Sequence, residues 1–138
     1  MNRKHYVLDA NALIRFFRNE DGAARVGDLF KQADPGLVGI SMSVVNLAEV
    51  LYATARTTPL AEVKRLIERA GQMVDFVSPG VSGSLSAGEI RLRYKLGLAD
   101  SFAAALALEL GATLVTADPE FAKLGKQLKV LALPRHSA

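Results

Sequence analysis

The sequence contains no cysteine among its 138 residues. This absence excludes disulfide bonds and thiolate metal sites, and it fits a protein of the reducing cytoplasm. No apolar run approaches the roughly 20 residues that a membrane-spanning helix needs, so we expect no membrane partner. The first residues pass straight into a strand-like segment, without the apolar region and cleavage site of a secretory signal. We therefore expect a cytoplasmic protein.

Histidine is scarce as well, with His5 and His136 standing near the two ends of the chain. We expect both side chains to be exposed rather than catalytic. Without thiolates, and with little imidazole, a metal site in this chain would be built from oxygen ligands. Such a ligand set suits Mg²⁺ or Mn²⁺.

Half of the residues are apolar, which suits one domain with a single buried core. We expect that domain to span residues 1–138, with a frayed tail over 134–138. The net charge is +3 and the pI is about 9.4. This mild basicity permits a nucleic-acid partner without requiring one.

Five short apolar segments have the pattern of β-strands, and stretches with helical spacing of apolar residues separate them. The predicted strands are 6–8, 37–40, 73–77, 113–115 and 130–133. The predicted helices are 11–17, 23–33, 43–55, 58–70, 84–96, 100–110 and 119–124. This order predicts an α/β fold with a central parallel sheet of four to five short strands and helices on both faces.

Four acids stand at positions that such a fold would bring together. Asp9 follows the first predicted strand, and Asp118 lies just beyond the fourth. In open parallel sheets, ligands bind beyond the carboxyl ends of the strands, where the strand order reverses. Glu49 and Asp100 come from helices that could pack alongside. Because clustered carboxylates repel and raise each other's pKa, a fold that gathers them is expected to hold a cation there.

Three of these acids have an alternative interpretation as helix caps. Asp9, Asp100 and Asp118 each stand at the start of a predicted helix, where a carboxylate accepts hydrogen bonds from free N–H groups. The Asp118-Pro119-Glu120 sequence is the strongest of these helix starts, with proline at the first helical position. Capping alone would explain these residues without any function.

Glu49 cannot be a cap, because it lies in the middle of a predicted helix that is apolar on most sides. One interpretation places it on a narrow solvent-exposed stripe with Asn46 and Arg56. The other turns it toward a metal. A buried and unpaired carboxylate would cost several kcal/mol, so the second interpretation requires a cationic partner.

Small polar residues accompany the acids in the sequence. They could orient the carboxylates or hold metal-bound water, although such residues are also ordinary near helix starts. These residues are Asn11, Ser43, Asn46, Ser101 and Thr116.

Four motifs in order resemble those of PIN-domain ribonucleases, and most closely the VapC-type toxins of toxin–antitoxin pairs. They are VLDAN (7–11), NLAEV (46–50), LADS (98–101) and TADPEF (116–121). The resemblance runs from about residue 6 to 133, nearly the whole chain. Each motif alone is unspecific, but four in family order are a specific signal.

The resemblance implies a three-layer α/β/α fold and a Mg²⁺- or Mn²⁺-dependent endoribonuclease. It also implies frequent homodimers and inhibition by a co-expressed antitoxin. Asp9, Glu49 and Asp100 match the three main metal-site acids of the family. Asp118 matches the fourth, which is the most variable.

From these residues we expect Asp9 and Asp100 to bind the first metal, with Glu49 and Asp118 completing the site directly or through water. The metal would lower the pKa of a bound water and neutralise charge on the scissile phosphate, with either one ion or two. Single-stranded or looped RNA is the expected substrate.

Basic residues near the cleft should hold that RNA, since phosphate contacts supply most nucleic-acid affinity. Arg15 and Arg18, on the helix after Asp9, are the first candidates, and the basic run 91–95 is the next. That run is equally well explained as a solvated helix face.

Two other enzyme classes share a small α/β fold with clustered acids. A receiver domain needs an Asp after a central strand and a Lys after a late one, but here no Asp follows the third predicted strand and no Lys follows the fourth. A haloacid-dehalogenase-like phosphatase needs an Asp where Asn11 stands. The remaining alternative is a catalytically weak metal- and RNA-binding module, or an antitoxin-binding autoregulatory one. Exposed aromatics such as Phe16, Phe17 or Tyr52 would then serve a partner-binding groove.

Overall fold

In the computed structural model, which describes residues 3–134, five strands alternate with six α-helices and one 3-10 helix. The strands are β1 (Lys4–Leu8), β2 (Val38–Ser43), β3 (Asp75–Val77), β4 (Thr113–Thr116) and β5 (Lys129–Ala132). The α-helices are α1 (Ala10–Arg18), α2 (Ala23–Ala33), α3 (Val44–Ala55), α4 (Leu60–Ala70), α5 (Gly80–Tyr94) and α6 (Leu98–Leu110). The 3-10 helix is Pro119–Gln127.

The five strands form one parallel sheet in the order β3-β2-β1-β4-β5. From β1 the chain adds β2 and then β3 on one side. It then crosses back and adds β4 and β5 on the other side of β1. In the register of this central pair, Leu8 lies opposite Val115. The predicted parallel sheet is therefore confirmed, and the strand order reverses between β1 and β4.

Helices cover both faces of the sheet, as the order of elements predicted. Tyr6 and Leu8 of β1 pack into one core with α1 and α2, whose buried residues include Leu13 and Leu29. Val7, on the opposite face, packs with α6 and the 3-10 helix, whose buried residues include Phe121. Successive strand residues point to opposite faces, so β1 is buried on both sides and forms the centre of a three-layer fold.

Three helices end in residues with left-handed backbone conformation, and one of these is α5, which Lys95 closes with φ 58°. Asn19 closes α1 with φ 52°, and its N–H donates to the carbonyls of Arg15 and Phe16. Gly111 closes α6 with φ 61°, and its N–H donates to carbonyls of the last helical turn. Asparagine and glycine tolerate this conformation best, which explains why the predicted ends of these helices lie close to the observed ones.

Several predicted boundaries were wrong. β2 extends to Ser43 rather than ending at residue 40, and every residue of it is buried. A strand buried on both faces has no apolar–polar alternation to mark its length. α5 starts at Gly80 rather than at 84, and only Ala87 and Ile90 of it are buried, so its apolar periodicity is weak. α6 begins at Leu98, two residues before the predicted start.

The predicted helix over 119–124 is a 3-10 helix that runs on to Gln127 and contains a kink at Gly125 (φ 61°, ψ −139°). The expectation of an exposed His5 was also wrong. Its ring is partly buried, and Nε2 lies 2.8 Å from Oγ of Ser41 on the neighbouring strand. Burial lowers the pKa of His5, with a smaller contribution from nearby Arg3.

Part of the expected frayed tail, residues 135–138, lies outside the described residues, and so does His136. Within residues 3–134, none of the helices has the length and apolar character needed to cross a membrane.

Candidate active site

Asp9 lies directly after β1 and is almost fully buried, with 3% of its surface exposed. Its Oδ1 accepts a hydrogen bond of 2.9 Å from the N–H of Ala12, so the carboxylate does cap α1. Its Oδ2 accepts a hydrogen bond from the hydroxyl of Thr116 on β4. Its own N–H donates to the carbonyl of Val115 at 3.3 Å. The capping interpretation of Asp9 is confirmed. Its carboxylate is nevertheless buried and also bonded to the neighbouring strand β4, which capping alone does not require.

Burial raises the pKa of Asp9 to about 7, because a charged carboxylate is poorly solvated there. The hydrogen bonds from Thr116 and Ala12 lower the pKa, while the charges of Asp100 and Asp118 raise it further. The ionised form of Asp9 is thus destabilised by its surroundings. A cation in contact with the carboxylate would reverse that balance.

Asp100 lies in the first turn of α6 and is half-buried. The alternative in which it caps α6 is wrong, because the cap position is Gly97 and no side chain bonds the free N–H groups there. Burial raises the pKa of Asp100 to about 6, and the charges of Asp118, Glu49 and Glu120 raise it further. The carboxylate of Asp100 therefore interacts with the neighbouring acids and does not cap the helix.

Glu49 lies on the exposed side of α3, where Asn46 holds its carboxylate. The side-chain amide of Asn46 donates to Oε1 of Glu49 at 3.2 Å and to the carbonyl of Ala99 at 3.0 Å. Asn46 is fully buried, so the predicted solvent-exposed stripe that contained both Asn46 and Glu49 is wrong for Asn46. One amide thereby ties α3 to the start of α6, next to Asp100.

Asp118 caps the 3-10 helix, since its Oδ1 accepts a hydrogen bond of 2.9 Å from the N–H of Glu120. The N–H of Asp118 donates at 2.9 Å to Oγ1 of Thr116. Because Thr116 also donates to Asp9, this one hydroxyl connects the acids that follow β1 and β4. The capping interpretation of Asp118 is confirmed, and its carboxylate still lies close enough to raise the pKa values of Asp9 and Asp100.

All four acids line one open cleft of about 410 Å³ at the carboxyl end of the sheet, beside the reversal of strand order. The other residues that line it are Ala10, Asn11, Ile14, Arg15, Ala117 and Pro119. The structure thus brings together the four acids that the sequence singled out from four separate segments.

The donor set of this cleft fits a hard divalent cation. The acidic side chains of the cleft offer only carboxylate oxygens. The pKa values of two of them, Asp9 and Asp100, are raised partly by the neighbouring acids. Within residues 3–134, no three acidic or imidazole side chains stand close enough together to form a closed metal-binding group. Mg²⁺ usually keeps several waters and takes only one or two carboxylates from the protein, so an open arrangement suits it.

The small polar residues that accompany the acids have different roles in the structure. Asn46 and Thr116 bond acids of the cleft directly. Ser43 caps α3 by accepting from the N–H of Val45, and Ser101 donates to the carbonyl of Gly97. Asn11 is exposed and lines the cleft.

The basic residues are also placed differently from one another. Arg15 lines the cleft, and its guanidinium donates to the carbonyls of Asp21, at 3.1 Å, and Pro134. Arg18 is exposed and donates to the carbonyl of Ala53 on α3 at 3.0 Å. Arg91, from the basic run, donates to the carbonyl of Leu96 at 2.9 Å.

One acid of the neighbourhood was missed by sequence reasoning. Glu120 contributes to raising the pKa of Asp100, although its position suggested only a favourable first turn of a helix. The sequence did contain a clue: Glu120 stands two residues after Asp118, in the same helical turn, so its carboxylate could be expected near that of Asp118.

The family model of the PIN domain matches residues 6–127 of this sequence. The chain belongs to the PIN-domain family. A search of curated proteins by sequence finds no match.

Solved PIN-like structures superpose on nearly the whole chain. VapBC2 from Rickettsia felis, bound to a DNA fragment from its promoter, matches with a TM-score of 0.72 at 19% identity, over 94% of this chain and 99% of that one. VapBC-1 from nontypeable Haemophilus influenzae matches with a TM-score of 0.71 at 23% identity, over 93% and 97%. A toxin–antitoxin complex from Klebsiella pneumoniae matches with a TM-score of 0.68 at 17% identity, over 92% and 96%. The predicted resemblance to VapC-type PIN proteins is confirmed at the level of the fold.

Proposed function

We propose that this PIN-domain protein is a Mg²⁺- or Mn²⁺-dependent endoribonuclease that acts as the toxin of a toxin–antitoxin pair. The observation that carries the proposal is the cleft at the reversal of strand order, into which four chain segments each bring a carboxylate. Such a cleft has little use as a structural element, because the repulsion among its acids opposes folding.

Asp9 and Asp100 are the residues that would hold the metal, since theirs are the carboxylates whose pKa values are raised by burial and by neighbouring acids. Glu49 and Asp118 would complete the site directly or through water. A divalent ion bound there supplies positive charge to a phosphate and lowers the pKa of a bound water.

The residues around the acids keep the carboxylates in position. Thr116 fixes the orientation of Asp9 and accepts from the backbone at Asp118. Asn46 fixes Glu49 against α6. Arg15 adds positive charge to a cleft wall that is otherwise acidic, which would favour the approach of a phosphate backbone.

The toxin role is supported by the similarity to solved VapBC and toxin–antitoxin complexes. We propose a cognate antitoxin as the protein partner, a homodimer as the assembly and cellular RNA in the cytoplasm as the target.

The test is cleavage of total cellular RNA by the purified, partner-free protein, with Mn²⁺ and with chelator in parallel. Asp100→Asn is the inactivating variant, and Asp28→Asn is the matched control because Asp28 is an exposed acid on α2 outside the cleft. We expect discrete products that require the metal and are absent with Asp100→Asn only. A folded Asp100→Asn variant that cleaves as well as the control would contradict the proposal.

A second candidate function is a module that binds metal and nucleic acid with little turnover, serving autoregulation with its antitoxin. The solved complex of VapBC2 with promoter DNA favours it as the alternative. Metal binding demonstrated by calorimetry, without cleavage of any RNA pool, would select this candidate.

A further inference from the structure

Among the aromatic side chains of residues 3–134, only Tyr52 is exposed, with 71% of its surface accessible. The two other aromatics considered for partner binding are partly buried, and Phe16 stacks edge-on against Phe30 at 4.7 Å between ring centroids. Phe17 also packs against the core. Tyr52 therefore contributes little to the core and presents its ring to solvent.

Tyr52 lies on the same face of α3 as the cleft acid Glu49. The two residues are three apart in the helix, which places them one turn apart on one side of it. Arg56, which ends α3, follows four residues later on that face. The face formed by Glu49, Tyr52 and Arg56 thus leads out of the acidic cleft along the surface of α3.

One arginine lies against the exposed ring, and a second bonds the backbone next to Tyr52. The guanidinium carbon of Arg56 lies 5.9 Å from the centroid of the Tyr52 ring. Arg18 reaches across from α1 and donates at 3.0 Å to the carbonyl of Ala53, the residue next to Tyr52. A guanidinium carries five N–H donors, so this hydrogen bond leaves others that can face a phosphate.

We propose that Tyr52 stacks on an unpaired base of single-stranded RNA next to the scissile phosphate, while Arg18 and Arg56 contact the flanking phosphates. This proposal rests on the proposed function and assigns a contact with a substrate base to a residue outside the cleft. Stacking on an exposed aromatic beside cationic residues is how proteins hold single strands with little sequence preference. A base inside a duplex is already stacked on both sides and cannot occupy the ring.

The charge of this face argues against a second copy of the chain as its occupant. Arg18 and Arg56 outnumber Glu49 on this surface, so two copies meeting face to face through Tyr52 would bring together two surfaces of net positive charge. A polyanion meets no such repulsion.

The test measures binding of the full chain to a short single-stranded RNA in which 2-aminopurine replaces one base at successive positions. Chelator is present, so cleavage does not interfere. We expect quenching of the 2-aminopurine at one position when it stacks on the ring. Tyr52→Ala should abolish the quenching and weaken binding about 10-fold, whereas Tyr52→Phe should retain both.

Leu92→Ala is the matched control, because Leu92 is 83% exposed on α5 and does not line the cleft. It should bind RNA as the wild type does. Arg18→Gln and Arg56→Gln should each reduce the dependence of affinity on salt by about one released counterion. In a duplex of the same sequence the 2-aminopurine is already stacked, so adding the protein should cause no further quenching.

Equal quenching and equal affinity in Tyr52→Ala and wild type would overturn the proposal. So would a change of oligomeric state in Tyr52→Ala, measured by sedimentation, without a change in RNA binding. The proposed function is tested separately by cleavage with Mn²⁺. Cleavage with the same KM in wild type and Tyr52→Ala would overturn the stacking role alone, and stacking without any cleavage would overturn the ribonuclease alone.

Discussion

The hydroxyl of Thr116 donates a hydrogen bond to the carboxylate of Asp9, across the central junction of β1 and β4. The same oxygen accepts from the N–H of Asp118, so one side chain positions two acids that lie more than a hundred residues apart in sequence. Loss of this hydroxyl should therefore disturb the cleft more than its small size suggests.

Thr116→Val should raise the pKa of Asp9 further, because the hydrogen bond from Thr116 lowers it at present. We expect metal affinity and RNA cleavage to fall about 10- to 100-fold, as is usual when a group that orients a metal ligand is lost. Thr116→Ser keeps the hydroxyl and should retain most of the metal affinity and most of the RNA cleavage. Thr113→Val, at the other end of β4, is the control. Unchanged Mn²⁺ affinity of Thr116→Val in calorimetry would refute this role.

The stability of the metal-free protein should fall as the pH rises from about 4 to about 7. The pKa of Asp9 is raised from 3.8 to about 7 in the fold, so above pH 4 the unfolded chain loses a proton that the folded chain retains. The resulting loss of unfolding free energy is on the order of 4 kcal/mol by pH 7 and does not grow further above it. Asp100, only half-buried, should add a smaller loss in the same direction, ending near pH 6.

Asp9→Asn should remove most of this dependence and stabilise the metal-free fold at pH 8. Asparagine can still cap α1, and it carries no charge to be desolvated. Urea unfolding in chelator at several pH values measures both proteins. A wild-type profile parallel to that of Asp9→Asn would show that the buried carboxylate does not titrate as expected.

Mn²⁺ or Mg²⁺ should stabilise the protein strongly at pH 8 and weakly at pH 5.5. Protons compete with the metal for Asp9 and Asp100, whose pKa values are about 7 and about 6. Metal affinity should therefore fall on the order of 100-fold between these pH values. At 100 times the dissociation constant the gain in unfolding free energy is about 2.7 kcal/mol. Thermal melts with and without metal test it, and an equal shift at both pH values would contradict it.

Asn46→Leu should lower both stability and cleavage. The change leaves the carbonyl of Ala99 without its side-chain donor and releases Glu49 from its position. The lost hydrogen bond costs about 1 kcal/mol of unfolding free energy, and we expect cleavage to drop about 10-fold or more. Retention of full activity at unchanged stability would remove Asn46 from the site.

Thr54→Val, on the same helix, should have the opposite effect on stability. Thr54 is buried, and within residues 3–134 its Oγ1 has no hydrogen-bond partner. Valine has nearly the same shape and no polar atom to desolvate, so the free energy of unfolding should rise by about 1 kcal/mol. The melting temperature should rise by about 3 °C, with cleavage unchanged. A lower melting temperature would mean that the hydroxyl has a partner.

The sequence predicted the general features of the site because simple rules link strands to acids. Asp9 ends the first strand and Asp118 lies just past the fourth, and the reversal of strand order places both at one edge. The side chain of Asn46 could not be placed in this way. α3 is apolar on most of its surface, so its periodicity does not reveal which side meets α6. That contact decides whether Asn46 is buried.

Two other failures have the same cause. The predicted strand ended at residue 40 and the next predicted helix began at Ser43, although Ser41 and Ser43 both belong to β2 and are buried. Ser41 is satisfied by His5 across the sheet, and Ser43 by capping α3. Partners of this kind depend on the tertiary fold, and a pattern within one segment does not contain them.

The acids of the cleft stand at positions 9, 49, 100 and 118, and β4 pairs with β1, the central strand of the sheet. During synthesis, β1 leaves the ribosome long before β4 is made. The nascent chain therefore lacks one wall of the cleft, together with two of its carboxylates, until the segment that carries Asp100 and Asp118 has emerged. The full repulsion among the four acids therefore cannot oppose the folding of the first half of the domain as it emerges from the ribosome.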